Sequence, residues 1–204
     1  MTTVGILLFD DVEVLDFAGP FEVFSVTGRR DNSNPFDVFT VAEKPGPIAA
    51  RNQLIVTPKY SFGDVPYMDI FVVPGGFGTR REMLNQKVLD WTKTKAAEAE
   101  IVLSICTGAL ILGRAGLLDG MPATTHHGAV ELLKEVAPAA LVQGDRRVID
   151  NGKFVIAAGV SSGIDAAFHV VARLLGEDVA RETAHYIEYP YPQEPKSRGA
   201  RPLG

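Results

Sequence analysis

The apolar residues of the chain fall into short, almost continuous runs separated by longer segments with helical spacing. The four clearest runs contain mainly β-branched, leucine and aromatic residues, and they are 4–9, 36–41, 69–73 and 101–103. Such runs are typical of strands buried on both faces of a parallel sheet. Strands that alternate with helices predict a doubly wound, mostly parallel α/β sheet with helices on both faces.

The segments between these runs predict the helices. One helix is expected to start with Pro20 in its first turn, where a missing N–H costs least. Apolar residues at helical spacing over 84–91 predict another. Ser162 and Asp165 have the spacing of a capping box at the start of a third helix. A last helix is expected over 178–188.

Length and composition favour one domain. The 204 residues are 46% hydrophobic, which is enough for a substantial core, and no internal repeat is visible. We expect a single domain over residues 1–188 and a proline-rich basic tail over residues 189–204.

Charge, hydropathy and cysteine content limit the partners of the chain. A net charge of −5 gives no reason to expect nucleic-acid binding. No apolar run approaches the roughly 18 residues of a membrane span. The single cysteine fits a reducing compartment, so a cytoplasmic protein that acts on a small molecule is expected.

The most informative stretch is EIVLSICTGALILGRAGLL, residues 100–118. A strand, a sharp turn and a buried helix in this order are typical of a nucleophile elbow, and Cys106 lies at the turn. The N-terminus of a helix lowers the pKa of a thiol, which favours Cys106 as a nucleophile. The alternative is a small buried residue that only fills the core.

Two loops are expected to meet Cys106, because sites in such sheets gather at the carboxyl ends of the strands. One carries Asp16 between Leu15 and Phe17. In this apolar setting its carboxyl group is either an acid/base with a pKa raised by burial or a helix cap.

The other loop carries Gly75 and Gly76. Their N–H groups, together with that of Thr107, are candidates for an oxyanion hole, although most Gly-Gly pairs are only turns. The Thr107 hydroxyl either binds substrate or satisfies its own helix end.

His126 and His127 are adjacent, with no second cysteine and no third histidine nearby, which makes a poor metal site. In a strand the two side chains would point to opposite faces, so at most one faces the thiol. His126 is the candidate near the site, with a structural histidine as the alternative. No metal and no cofactor are expected.

Five motifs occur together in this chain: LLFDDVEVLDFAGPFEVF, IFVVPGGFG, SICTGALILGRAGLLDG, ATTHH and AAGVSSGIDAAFHVVARLLG. In sequence and order they resemble the ThiJ/PfpI family. That resemblance implies a flavodoxin-like, class I glutamine amidotransferase-like fold. It also implies Cys106 as the elbow nucleophile, Asp16 as its carboxyl partner, and a homodimer.

Two positions bear on the branch of the family. Protease-like members carry histidine where Thr107 stands, and the stress-protective branch carries glutamate where Asp16 stands. Asp16 with Cys-Thr-Gly at the elbow most resembles isonitrile hydratase, which implies hydration of an isonitrile to an N-formamide through a Cys106 thioimidate. The alternatives are an amidase or glyoxalase/deglycase activity and a redox- or ligand-sensing module related to the sensor half of AraC-type regulators.

Overall fold

The computed structural model describes residues 1–30 and 32–191. Within these residues the strands, in chain order, are β1 Thr2–Leu8, β2 Phe36–Ala42, β3 Ile48–Ala49, β4 Ile55–Val56, β5 Tyr60–Ser61, β6 Ile70–Val73, β7 Ile101–Ile105, β8 Pro122–Ala123, β9 Leu141–Val142, β10 Val148–Asp150 and β11 Phe154–Ala157. The helices are α1 Val14–Val26, α2 Thr79–Glu82, α3 Gln86–Glu98, α4 Gly108–Arg114, α5 Val130–Val136, α6 Ser162–Leu175 and α7 Glu177–Tyr186.

Seven of these strands form the central sheet, in the order β10-β11-β7-β6-β1-β2-β5. Neighbouring strands are parallel except β10, which runs antiparallel to β11. The register places Ile6 of β1 between Thr40 and Val72. Every residue of β6 and β7 is buried, which explains why these two runs contain no alternating polar positions. The predicted doubly wound, mostly parallel sheet is confirmed.

The helices cover the sheet in two groups. Helices α1, α6 and α7 pack against one another, while α4 packs against α2, α3 and α5. Both α4 and α6 contact β7, so the central strands are enclosed from both faces. No helix in the described part of the chain is long and apolar enough to cross a membrane.

The prediction for the first helix is wrong. Helix α1 begins at Val14, so Pro20 lies inside it and Asp16 lies in its first turn. Tertiary packing overrides the cost of an interior proline. Gly19 allows α1 to approach α6 closely, because a Cβ at Gly19 would lie 2.8 Å from Ile164 Cγ1.

The predicted capping box at α6 is also wrong. Ser162 lies inside the helix, and its buried hydroxyl has no hydrogen-bond partner among the described residues. Asp165 instead accepts hydrogen bonds from Arg147 and from the Tyr189 hydroxyl, the latter at 2.7 Å. Asp165 therefore binds partners that are distant in sequence instead of forming the predicted local cap.

The chain after α7 is described only as far as Tyr191. The rings of Tyr189 and Tyr191 pack against Phe168 of α6, with centroids 5.4 and 5.2 Å away. The rest of the predicted tail lies outside the described residues, and the division at residue 188 stays a prediction. Strands β3 and β4 pair antiparallel with each other, outside the central sheet.

Candidate active site

Cys106 occupies the sharp turn between β7 and α4. Its φ is 55°, a left-handed conformation that non-glycine residues rarely adopt. The turn is held from both sides: Cys106 N–H donates to Ala157 O at 3.1 Å, and Thr125 Oγ1 donates to Cys106 O at 2.8 Å. This geometry agrees with the nucleophile elbow predicted from the strand, turn and helix pattern.

Two glycines let the neighbouring strand end approach the elbow. A Cβ on Gly75 would lie 2.4 Å from Thr107 N and 2.8 Å from Cys106 Cβ. A Cβ on Gly108 would lie 2.1 Å from the carbonyl oxygen of Val73. Any larger residue at these positions would push the loop after β6 away from the cysteine.

The Asp16 carboxyl group is completely buried beside this loop. Its Oδ2 accepts a hydrogen bond from Gly75 N–H at 2.9 Å, whereas no donor of standard geometry among the described residues reaches Oδ1. Because the donor belongs to a distant loop, Asp16 does not act as a cap of its own helix. The predicted convergence of the Asp16, Gly75 and Cys106 segments is therefore present.

Burial changes the acidity of Asp16. Loss of water raises the pKa of its carboxyl group to about 7, and the nearby Glu13 contributes to the rise. The Gly75 N–H and a hydrogen-bonding interaction with the Cys106 thiol partly offset it. Near neutral pH the protonated and ionised forms are both populated, as acid/base catalysis requires.

The pKa of the Cys106 thiol differs from the prediction. Burial and the charge of Asp16 raise its pKa to about 11, although the backbone N–H groups of Val160 and Thr107 stabilise the thiolate. The expectation that the helix N-terminus leaves a low-pKa thiol is wrong. Burial is the largest cause of the rise, because the side chain is only 5% exposed and the charged form loses its hydration.

The oxyanion hole predicted at Gly75 and Gly76 is not available in this conformation. Gly75 N–H already donates to Asp16, and Gly76 N–H donates to Thr107 Oγ1 at 2.9 Å. The Thr107 hydroxyl in turn donates to Gly76 O at 3.0 Å, so it ties the elbow to the loop after β6.

Sequence reasoning missed Val160, whose N–H stabilises the sulfur of Cys106. Val160 has a φ of 36°, an unusual value for a β-branched residue. A left-handed position normally predicts glycine, so no sequence signal identifies this valine. Only the fold brings the loop between β11 and α6 to the elbow.

His126 lies beside this same loop and is half-buried. A Cβ on Gly159 would lie 2.8 Å from its Cδ2 atom, and its Nδ1 accepts a hydrogen bond from Gly128 N–H at 3.1 Å. Burial is the main cause that lowers its pKa, with smaller contributions from His127 and Arg80, while Glu13 opposes the shift.

His126 is therefore near the site, as predicted, but it forms no hydrogen bond with Cys106 among the described contacts. A Cys-His dyad is not assembled in this structure. The adjacent His127 is exposed. Across the described residues, no group of three or more His, Cys, Asp or Glu side chains is placed to hold a metal ion.

Comparison with known proteins agrees with this geometry. The model of the DJ-1/PfpI family matches residues 2–173. The chain belongs to the DJ-1/PfpI family. Among DJ-1/PfpI structures, a ThiJ/PfpI protein from Pseudomonas syringae superposes with a TM-score of 0.83 and 28% identity, covering 98% of this chain and 79% of that chain.

Two curated relatives indicate the range of functions among similar proteins. The isonitrile hydratase of Pseudomonas putida is 34% identical over 186 residues, which are 91% of this chain and 78% of that protein. The HTH-type transcriptional regulator GbdR of Pseudomonas aeruginosa is 23% identical over 92% of this chain, which spans 50% of that regulator. The DJ-1/PfpI family thus explains the elbow but does not by itself define the activity.

Proposed function

We propose that this protein is an isonitrile hydratase-like enzyme that adds water to an isonitrile and releases an N-formamide. The observation that carries the proposal is the buried Asp16 carboxyl group, with a pKa near 7, coupled to the Cys106 thiol. An isonitrile carbon must gain both a nucleophile and a proton, and these two groups supply both. The 34% identity to isonitrile hydratase supports the same choice.

The first half of the reaction forms a thioimidate. The Asp16 carboxylate takes the thiol proton while the sulfur attacks the terminal isonitrile carbon and forms the C–S bond. Asp16 then delivers the proton to that carbon, forming the C–H bond. The high pKa of the Cys106 thiol is compatible with this route. The pair of Asp16 and Cys106 holds one proton, and the first half of the reaction consumes only one. The N–H groups of Val160 and Thr107 stabilise the sulfur while it carries negative charge.

The second half hydrolyses the thioimidate. Asp16 accepts a proton from water as the oxygen attacks the carbon, and the nitrogen is protonated. That proton is the one that Asp16 took from water, so Asp16 is ionised again when the C–S bond breaks. The proton of the new hydroxyl group then passes through Asp16 to the sulfur. One isonitrile and one water are consumed, one N-formamide is released, and Cys106 is regenerated.

The direct test is incubation of the purified protein with a simple aryl isonitrile, with formation of the formamide followed by NMR. We expect many turnovers per protein molecule without an added metal or organic cofactor. Formation of formamide no faster than in buffer alone would reject the proposed activity.

The pH dependence of this reaction follows from the two pKa values. The active state holds one proton between Asp16 and Cys106, so it is populated above a pH of about 7 and below a pH of about 11. With an uncharged isonitrile, kcat/KM should fall about tenfold per pH unit below pH 7 and reach a plateau above it. A profile without an inflection near neutral pH would contradict the role of Asp16 as the titrating group.

A ligand-sensing module is the second candidate, and the similarity to GbdR favours it. The redox form of this hypothesis is less well supported. Susceptibility to oxidation follows thiolate character and exposure, and Cys106 has a raised pKa and is almost fully buried. An amidase or deglycase with a Cys-His mechanism lacks the required hydrogen bond from His126.

We also propose that the protein is a homodimer. The β4 segment supports this, because Leu54 and Ile55 are 47% and 62% exposed, and adjacent exposed apolar side chains favour an interface. Sedimentation velocity should give twice the 22.0 kDa chain mass. A monomer at micromolar concentration would contradict it, and Ile55→Lys should shift a dimer toward monomer.

A further inference from the structure

An exposed aromatic ring with two guanidinium groups lies immediately beyond the site loop. Phe77 follows Gly76 directly and is 64% exposed. The guanidinium carbons of Arg51 and Arg80 lie 5.6 and 5.3 Å from the centre of its ring. Among the described residues, neither arginine forms an ion pair with a carboxylate. Nothing in the acid/base chemistry of Asp16 and Cys106 uses these three side chains.

Arg80 is linked to the site through one backbone oxygen. Its Nη1 lies 3.4 Å from Gly76 O, the same atom that accepts the Thr107 hydroxyl at 3.0 Å. A single carbonyl oxygen therefore separates this guanidinium from the residue next to Cys106. The charge of Arg80 also acts on His126, whose pKa it helps to lower.

The chemistry of this cluster suits an anion attached to a flat apolar group. A guanidinium presents a planar fork of N–H donors that matches a carboxylate in a bidentate manner. The face of Phe77 offers an apolar surface beside that fork.

We propose that Arg80 and Phe77 form an anion-binding subsite at the rim of the Cys106 site, and that the substrate carries a carboxylate beside its reactive group. The guanidinium carbon of Arg51, 5.6 Å from the centre of the same ring, adds further positive potential. The identity of the reactive group rests on the proposed function. With that function, the substrate class is a carboxylate-bearing isonitrile.

The test compares 4-isocyanobenzoate with its methyl ester, which has the same ring and reactive group but no charge. In the unsubstituted protein, kcat/KM should favour the acid. In Arg80→Gln this preference should fall about tenfold or more, since hydrogen bonds to charged groups are among the strong ones. Arg114→Gln removes an exposed arginine at the far end of α4, so it controls for the change in net charge and should keep the preference.

A second measurement does not depend on turnover. Benzoate should slow the alkylation of Cys106 by iodoacetamide several-fold in the unsubstituted protein and in Arg114→Gln, but not in Arg80→Gln, while benzamide should have little effect in all three. Absence of benzoate protection, or equal protection in Arg80→Gln, overturns the anion subsite even where isonitriles are hydrated. Benzoate protection without hydration of either isonitrile supports the subsite and rejects the proposed activity.

Discussion

Replacing Cys106 with serine should reduce kcat/KM for isonitrile hydration by about 10³-fold or more, as expected for loss of a covalent nucleophile. The serine hydroxyl has nearly the same shape, so the elbow and its hydrogen bonds to Ala157 and Thr125 remain. A hydroxyl group is far less acidic than a thiol, and Asp16 cannot generate a comparable nucleophile from it. Formamide production measured by NMR, with circular dichroism to confirm folding, gives the result.

Ser104→Ala is a matched control for this substitution. Ser104 lies on β7 two residues before the nucleophile, and its buried hydroxyl has no hydrogen-bond partner among the described residues. Its removal perturbs the same strand without touching the reacting groups, so activity should stay within about twofold of the unsubstituted protein. Full activity of the Cys106→Ser protein would show that the chemistry does not pass through a thioimidate.

Replacing Asp16 with asparagine should lower kcat by about 10²- to 10⁴-fold, because proton transfer is then lost from both halves of the reaction. The asparagine carbonyl can still accept the Gly75 N–H, so the loop keeps its position. The inflection near pH 7 in kcat/KM should disappear together with most of the activity. Turnover close to that of the unsubstituted protein would show that Asp16 has only a structural role.

The same variant should be more stable than the unsubstituted protein at alkaline pH. The pKa of Asp16 is about 7 in the folded state against 3.8 for an aspartate in water, so the native protein binds the proton more tightly. The stability contributed by this group is fully present below a pH of about 4 and is lost as the pH rises through about 7. Above pH 7, ionised Asp16 costs up to about 4 kcal/mol.

Urea denaturation at pH 4.5 and pH 8 measures this effect. The free energy of unfolding of Asp16→Asn relative to the unsubstituted protein should increase between the two pH values. An unchanged difference would mean that the buried carboxyl group does not titrate in this range. A gain in stability at pH 8 with a loss of activity would indicate that the fold tolerates an unfavourable group because the reaction requires it.

Much of the architecture could be predicted from local pattern. The segment 69–73, which is apolar from Ile70 onward, and the segment 101–103 identify the two central strands, because only residues covered on both faces remain apolar without alternation. Cys106 at the junction of such a strand with a glycine-rich helix identifies the elbow. The rule that loops at the carboxyl ends of parallel strands share one edge then brings Asp16 and Gly75 to it.

Tertiary structure decided the details that the chemistry depends on. Helix α1 contains Pro20 and packs against α6, and Asp165 leaves its local cap for Arg147 and Tyr189. The N–H groups of Gly75 and Gly76 have partners from other segments. A local pattern shows which groups a loop carries, but it does not show which long-range partners occupy them.

The pKa values of the site show most clearly which properties follow from local sequence and which follow from tertiary structure. The sequence by itself determined that a thiol at a helix N-terminus and a carboxyl group in an apolar segment would meet at one edge of a parallel sheet. Only the tertiary structure decided that Cys106 keeps a pKa near 11, that Asp16 titrates near 7, and that Val160 supports the sulfur. The physical reason is that desolvation and hydrogen bonding depend on every segment packed around a group, and these segments are distant in sequence.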